Sequence, residues 1–146
     1  MDQPLLVLLL PRRLEQFHLE QPVRELLRAP GVVAVDPSRL PLARMVPTVA
    51  ARAAIGQARR MKLPGTPAAV AIFHPFQIFL AGALLARHPR AELWYGRPEE
   101  ESEPALDATA TERAALLMTP EELLAVAPLR MAELGIVSGP PSAPAA

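Results

Sequence analysis

The chain has 146 residues, 51% of them hydrophobic and 21% charged. That is enough apolar material for one cored domain and too little charge for a disordered chain. Cysteine is absent, which excludes disulfides, thiolate chemistry and cysteine metal ligands. Basic and acidic residues balance at 15 each, and the zero net charge argues against a nucleic-acid partner.

The first apolar run, residues 5–10 (LLVLLL), has six residues. A membrane span needs about 20, and no basic segment precedes the run as in a secretory leader, so it reads as a buried strand. Absent cysteine and absent targeting or spanning segments lead us to expect a cytoplasmic protein. Gln21-Pro22 opens a helix carrying Val23, Leu26 and Leu27, and Gly31 follows it. Residues 32–35 (VVAV) form a second strand, closed by Asp36-Pro37. A helix from Pro47 to about Met61 presents Ala50, Ala53, Ala54 and Gly56 inward. After Pro64-Gly65, residues 68–73 (AAVAIF) form a third strand. A helix from about Pro75 carries Phe76, Leu80, Ala83, Leu84 and Arg87, and His88-Pro89 ends it. Residues 92–95 (ELWY) and the weaker 115–118 (ALLM) make strands four and five. Thr119 and Glu122 form a T-x-x-E capping box for a last helix, which Pro128 is expected to break or kink.

Continuous apolar runs are the pattern of strands buried on both faces. Their alternation with helices predicts an α/β fold, a single Rossmann-like domain over residues 1–137. It has a mainly parallel sheet of about five strands with helices on both faces. Residues 97–107 (RPEEESEPALD) read as a loose acidic loop and 138–146 (SGPPSAPAA) as a flexible tail.

Ligands of open parallel sheets bind beyond the carboxyl ends of the strands. That rule selects Arg12 and Arg13 after strand one, Asp36 after strand two, His74 and Gln77 after strand three, and Thr119 after strand five. His74 suits a general base or hydroxyl ligand, or simply caps the helix that follows. The arginines match phosphate or carboxylate, and otherwise form a solvated loop. Asp36 can take a hydroxyl or start a turn. The glutamates at 99, 100, 101 and 103 lack the spacing of a metal site, and no metal or cofactor is expected. The chain has no G-x-G-x-x-G, no G-x-x-x-x-G-K-[ST] and no G-x-S-x-G.

Several stretches together resemble the N-terminal half of bacterial GT-B glycosyltransferases. They are EQPVRELLR at 20–28 leading to VVAVDP at 32–37, AVAIFHP at 69–75, AELWYG at 91–96 and ERAALLMTPEELL at 112–124. The similarity covers roughly residues 1–137. Two departures stand out: Gly96 where the family's fourth strand usually ends in aspartate, and Thr119 where it has serine. The resemblance implies an acceptor-side domain that binds a sugar-type molecule and relies on a separate donor-binding domain or partner subunit. His74 would then be base or acceptor ligand, Arg12 would meet an anionic group and Asp36 a hydroxyl. The alternatives are a non-catalytic interaction module that kept the fold, and a different small α/β enzyme of flavodoxin-like or hydrolase-like type.

Overall fold

The structure is a computed structural model that describes residues 3–37, 46–100 and 103–137. Five strands form one sheet: β1 (Pro4–Leu9), β2 (Val32–Val35), β3 (Thr66–Ile72), β4 (Glu92–Gly96) and β5 (Leu116–Met118). All neighbours are parallel, in the order β2-β1-β3-β4-β5. Helices α1 (Glu20–Leu26), α2 (Pro47–Arg60), α3 (Ile78–Arg87), α4 (Pro104–Arg113) and α5 (Pro120–Glu133) alternate with them. The chain is therefore a Rossmann-like, doubly wound α/β domain. Its strand order is the 2-1-3-4-5 variant found in flavodoxins, in which the winding direction switches between β1 and β3.

The period-two alternation of the strands divides the core into two layers. Leu6, Leu8, Leu10, Ala69, Ala71, Phe73 and Trp94 face the side covered by α1 and α5. Leu5, Val7, Leu9, Val70, Ile72, Leu93 and Tyr95 face the side covered by α2, α3 and α4. Apolar residues occupy both parities of β1 because both faces of this strand are covered.

Helix α2 packs closely because its buried stripe, Ala50, Ala54 and Ala58, has no side chain beyond Cβ. Gly56 lies outside that stripe: a Cβ there would meet nothing nearer than the Arg60 guanidinium at 3.6 Å. The inward role expected for Gly56 is thus taken by Ala58. Pro128 does not break α5, which continues to Glu133 with the proline on its exposed face. Of the stretch expected to be a loose acidic loop, residues 97–107, the last four belong to helix α4. Pro104 opens α4, where a missing N–H costs no hydrogen bond. Its apolar face is thin, with Ala110 as the one buried residue, so no helical stripe marks it in the sequence. The expected tail, residues 138–146, lies outside the described residues.

A charged contact fastens α5 to the sheet. The Arg130 guanidinium of α5 grips the Glu92 carboxylate at the start of β4, with Nε to Oε1 at 2.9 Å and Nη2 donating to Oε2. The Trp94 indole N–H also donates to Glu92, at 3.2 Å. These donors hold the Glu92 carboxyl below its ordinary pKa, Arg130 contributing most. At the sheet's amino edge, Gly65 lets the chain pass beside Gln3. A Cβ on Gly65 would sit 2.1 Å from the Gln3 carbonyl oxygen, which accepts from Thr66 N–H at 2.9 Å.

The two glycines give substitutions of opposite sign. Gly65→Ala is expected to destabilise by about 1–3 kcal/mol, because backbone must move. Gly56→Ala, within a helix and meeting only the flexible Arg60 side chain at ordinary contact distance, is expected to stabilise by about 0.5–1 kcal/mol. Urea unfolding of both variants checks the pair, and a stabilised Gly65→Ala would contradict the packing described at the amino edge.

Candidate functional site

The reversal between β1 and β3 leaves a crevice at the carboxyl edge of the sheet. His74 precedes, and Gln77 ends, a short 3₁₀ turn, Pro75–Gln77, directly after β3. The Gln77 side-chain oxygen accepts from the backbone N–H of Phe73 at 2.7 Å and of His74 at 3.0 Å. Its amide nitrogen donates to the Leu9 carbonyl at 2.5 Å, which joins the ends of β3 and β1. Gln77 thus shapes the crevice through backbone bonds.

His74 caps the same turn, as the plainer of its two sequence readings expects. Its Nδ1 accepts from Phe76 N–H at 3.2 Å, and the ring stacks on Phe76 at 5.0 Å between centroids. With Nδ1 accepting, the neutral imidazole carries its proton on Nε2. Burial lowers the pKa of His74 below the usual histidine value, while the Glu103 carboxylate works in the opposite direction. At neutral pH the ring is therefore uncharged and donates from Nε2, which suits holding a ligand oxygen better than taking a proton from one.

Arg12 and Arg13 follow β1, both exposed, and their side chains make no hydrogen bond or ion pair with any described residue. The chain after them is anchored by Phe17, buried and packed on Phe73 at 5.5 Å between ring centroids. Asp36 is exposed at the end of β2, one strand beyond β1. Thr119 stands at the other side of the sheet, after β5. Its hydroxyl accepts from Glu122 N–H at 3.2 Å and donates to the Glu122 carboxylate at 3.0 Å. This differs from the expected reciprocal box, in which the glutamate would reach back to the threonine's own N–H. Four strand spacings of about 4.8 Å separate Asp36 from Thr119, roughly 19 Å in all, so no single sugar-sized ligand touches both.

A cluster absent from the sequence reading lies beside His74. The Tyr95 hydroxyl, at the end of β4, donates to Asp107 of α4 at 2.7 Å. Arg97 clamps the same carboxylate through Nε at 3.2 Å and Nη2 at 2.8 Å. Burial, then the bond to Asp107, drive the Tyr95 pKa up, so it stays protonated. The Tyr95 hydrogen bond, then Arg97, hold Asp107 below the ordinary carboxylate range. The available signal was the spacing of Tyr95 and Arg97 with Asp107 in the first turn of a proline-headed helix. It was hidden because that helix lacks an apolar stripe. Gly96 also has a structural reason: a Cβ there would lie 2.9 Å from the Phe73 ring and 3.0 Å from Pro120 Cα. An aspartate does not fit at this position without opening the contact between β4 and α5.

Among the described residues no group of three or more histidine or acidic side chains is placed to hold a metal ion. No helix among them is long and apolar enough to cross a membrane. Fold and site together define a doubly wound α/β domain with polar residues gathered on the carboxyl edge of its sheet. No protein-family model, curated protein or solved structure matches the chain.

The His74 geometry predicts a specific pH dependence. Its folded pKa is depressed, so its neutral state favours the fold above the unfolded value of about 6.5. That contribution diminishes as the pH falls from there towards the folded pKa, because the unfolded chain takes up the proton first. Asparagine can cap without titrating. The fall in melting temperature between pH 7.5 and 5.5 is therefore expected to be smaller in His74→Asn than in the parent chain. Equal falls would remove His74 from the acid response.

Proposed function

We propose that this chain is an acceptor-side domain of glycosyltransferase type. It binds an anionic, hydroxyl-rich small molecule of sugar type and depends on a separate donor-binding domain or partner subunit. The observation that carries the reading is the pairing of Arg12 and Arg13, without ionic partners among the described residues, with a neutral His74 across the β1–β3 crevice. The arginines supply charge and forked donors for a phosphate or carboxylate. His74 supplies a donor for a hydroxyl or ring oxygen, and Asp36 an acceptor on the far side of β1. Gln77 and Thr119 act indirectly, by setting the backbone on which these groups stand. The GT-B resemblance of the strand-end segments supports the same assignment.

A second reading, an interaction module without transferase chemistry, draws on one observation. Val46 and Val49 open α2 at the sheet's carboxyl edge and are 64% and 51% exposed. Apolar side chains at the rim of a ligand edge suit a docked second domain, which both readings share. The second differs in assigning no ligand to the crevice.

Thermal-shift titration separates them. A sugar phosphate or uronic acid at ten times its Kd is expected to stabilise the chain by about 1.4 kcal/mol, a rise of several degrees. Arg12→Ala/Arg13→Ala and His74→Ala are each expected to reduce the shift. A larger shift with nucleotide sugars than with sugar acids would place the donor site in this chain and overturn the acceptor-side assignment. No shift with any of these ligands would favour the interaction module.

A further inference from the structure

The opposite, amino edge of the sheet carries a cleft of about 350 Å³, between the carboxyl ends of α3 and α4 and the starts of β4 and β5. This lies at the small end of the usual range for ligand sites, roughly 300–1,000 Å³. Leu85, Ala91, Leu93 and Ala115 are its apolar lining residues, in a lining of mixed polar and apolar surface, and Glu92 and Arg113 are its charged ones.

These two charges are in different states. The Glu92 carboxylate is already satisfied by Arg130 and Trp94, which approach from the α5 side, and its charge is matched by Arg130. The Arg113 side chain makes no hydrogen bond or ion pair with any described residue. Its guanidinium lies across α3, with Nη1 3.4 Å from where a Cβ on Gly82 would stand. The absent side chain of Gly82 makes room for it. Arg87 and Arg90, on the segment that leads into this corner, are exposed and likewise have no ion pair among the described residues. The local balance is cationic, around an open hollow of mixed polar and apolar lining whose one acid is neutralised. Placement near a helix carboxyl end explains why an arginine is tolerated at 113. It does not account for the hollow beside it.

We infer that this cleft binds a small organic anion, a carboxylate or phosphate monoester on a short apolar body, with Arg113 holding the charge and the body lying in the open cleft that Leu85, Leu93 and Ala115 help to line. A guanidinium fork takes either headgroup through two parallel hydrogen bonds. The site is independent of the carboxyl-edge crevice.

The test is an NMR titration of the ¹⁵N-labelled full chain with hexanoate, hexyl phosphate and hexanol. At least one of the two anions is expected to shift the amides of Ala91, Leu93 and Ala115, and the stronger of them identifies the headgroup. Hexanol is expected to bind at least about tenfold more weakly, as is the best anion to Arg113→Gln, from the worth of a charge-assisted hydrogen bond. Ala115→Phe, which fills the hollow while keeping Arg113, is expected to abolish the shifts. The dispersion of the spectra shows whether each variant is folded. Equal binding of hexanol and the anions overturns the inference. So does binding undiminished in Arg113→Gln, or the absence of shifts at these three amides.

Discussion

The fold depends on where the run of apolar residues at 5–10 can be put. Six consecutive apolar side chains point to both faces of a strand, so both faces must be covered by other elements. β1 meets this by pairing with β2 on one side and β3 on the other, beneath α1 and α5 on one face and α2 and α3 on the other. Once β1 is central, parallel crossovers of one hand put α1, which leads to β2, on one face, and α2, α3 and α4, which lead the opposite way to β3, β4 and β5, on the other. The crevice between β1 and β3 follows from that reversal.

One side-chain amide fixes the shape of the crevice. Gln77 spans from the amides at the end of β3 to the carbonyl of Leu9 on β1. Such a bridge between main-chain groups at two strand ends restrains the loop that carries His74. The His74 ring is oriented in turn by its own capping bond. The orientation and tautomer of His74 are thus set by backbone geometry: a capped, part-buried imidazole keeps Nδ1 occupied and its proton on Nε2. The Tyr95–Asp107–Arg97 cluster performs a comparable task on the next strand, tying the end of β4 to α4.

The two edges of the sheet have different chemistry for the same topological reason. In a parallel sheet all strands end on one edge, and there the loops carry Arg12, Arg13, Asp36 and His74. The other edge receives helix ends, and its polar groups chiefly stitch layers together, as Glu92 does with Arg130. Arg113 is the exception, lining a hollow without an ionic partner among the described residues.

The sequence by itself determined the class of fold and the positions of the strands. Residues 32–35 match β2 as observed, and the other strands shift by a few residues at their ends. Uninterrupted apolar runs between proline- and glycine-marked turns have few other solutions. The sequence also placed His74, Arg12, Arg13 and Asp36 at strand ends, because that edge is defined by chain direction alone. Tertiary structure decided what depends on distance between separated segments. It set the strand order, the choice of Ala58 over Gly56 as an inward contact, the Gln77 bridge and the Asp107 cluster. It also kept α5 intact through Pro128, because that residue lies on the exposed side of a helix held by its buried stripe. α4 remained hidden for a related reason. A helix that buries little but Ala110 leaves no periodic trace, and its place is fixed by contacts with β4 and α3 that exist only once the sheet has formed.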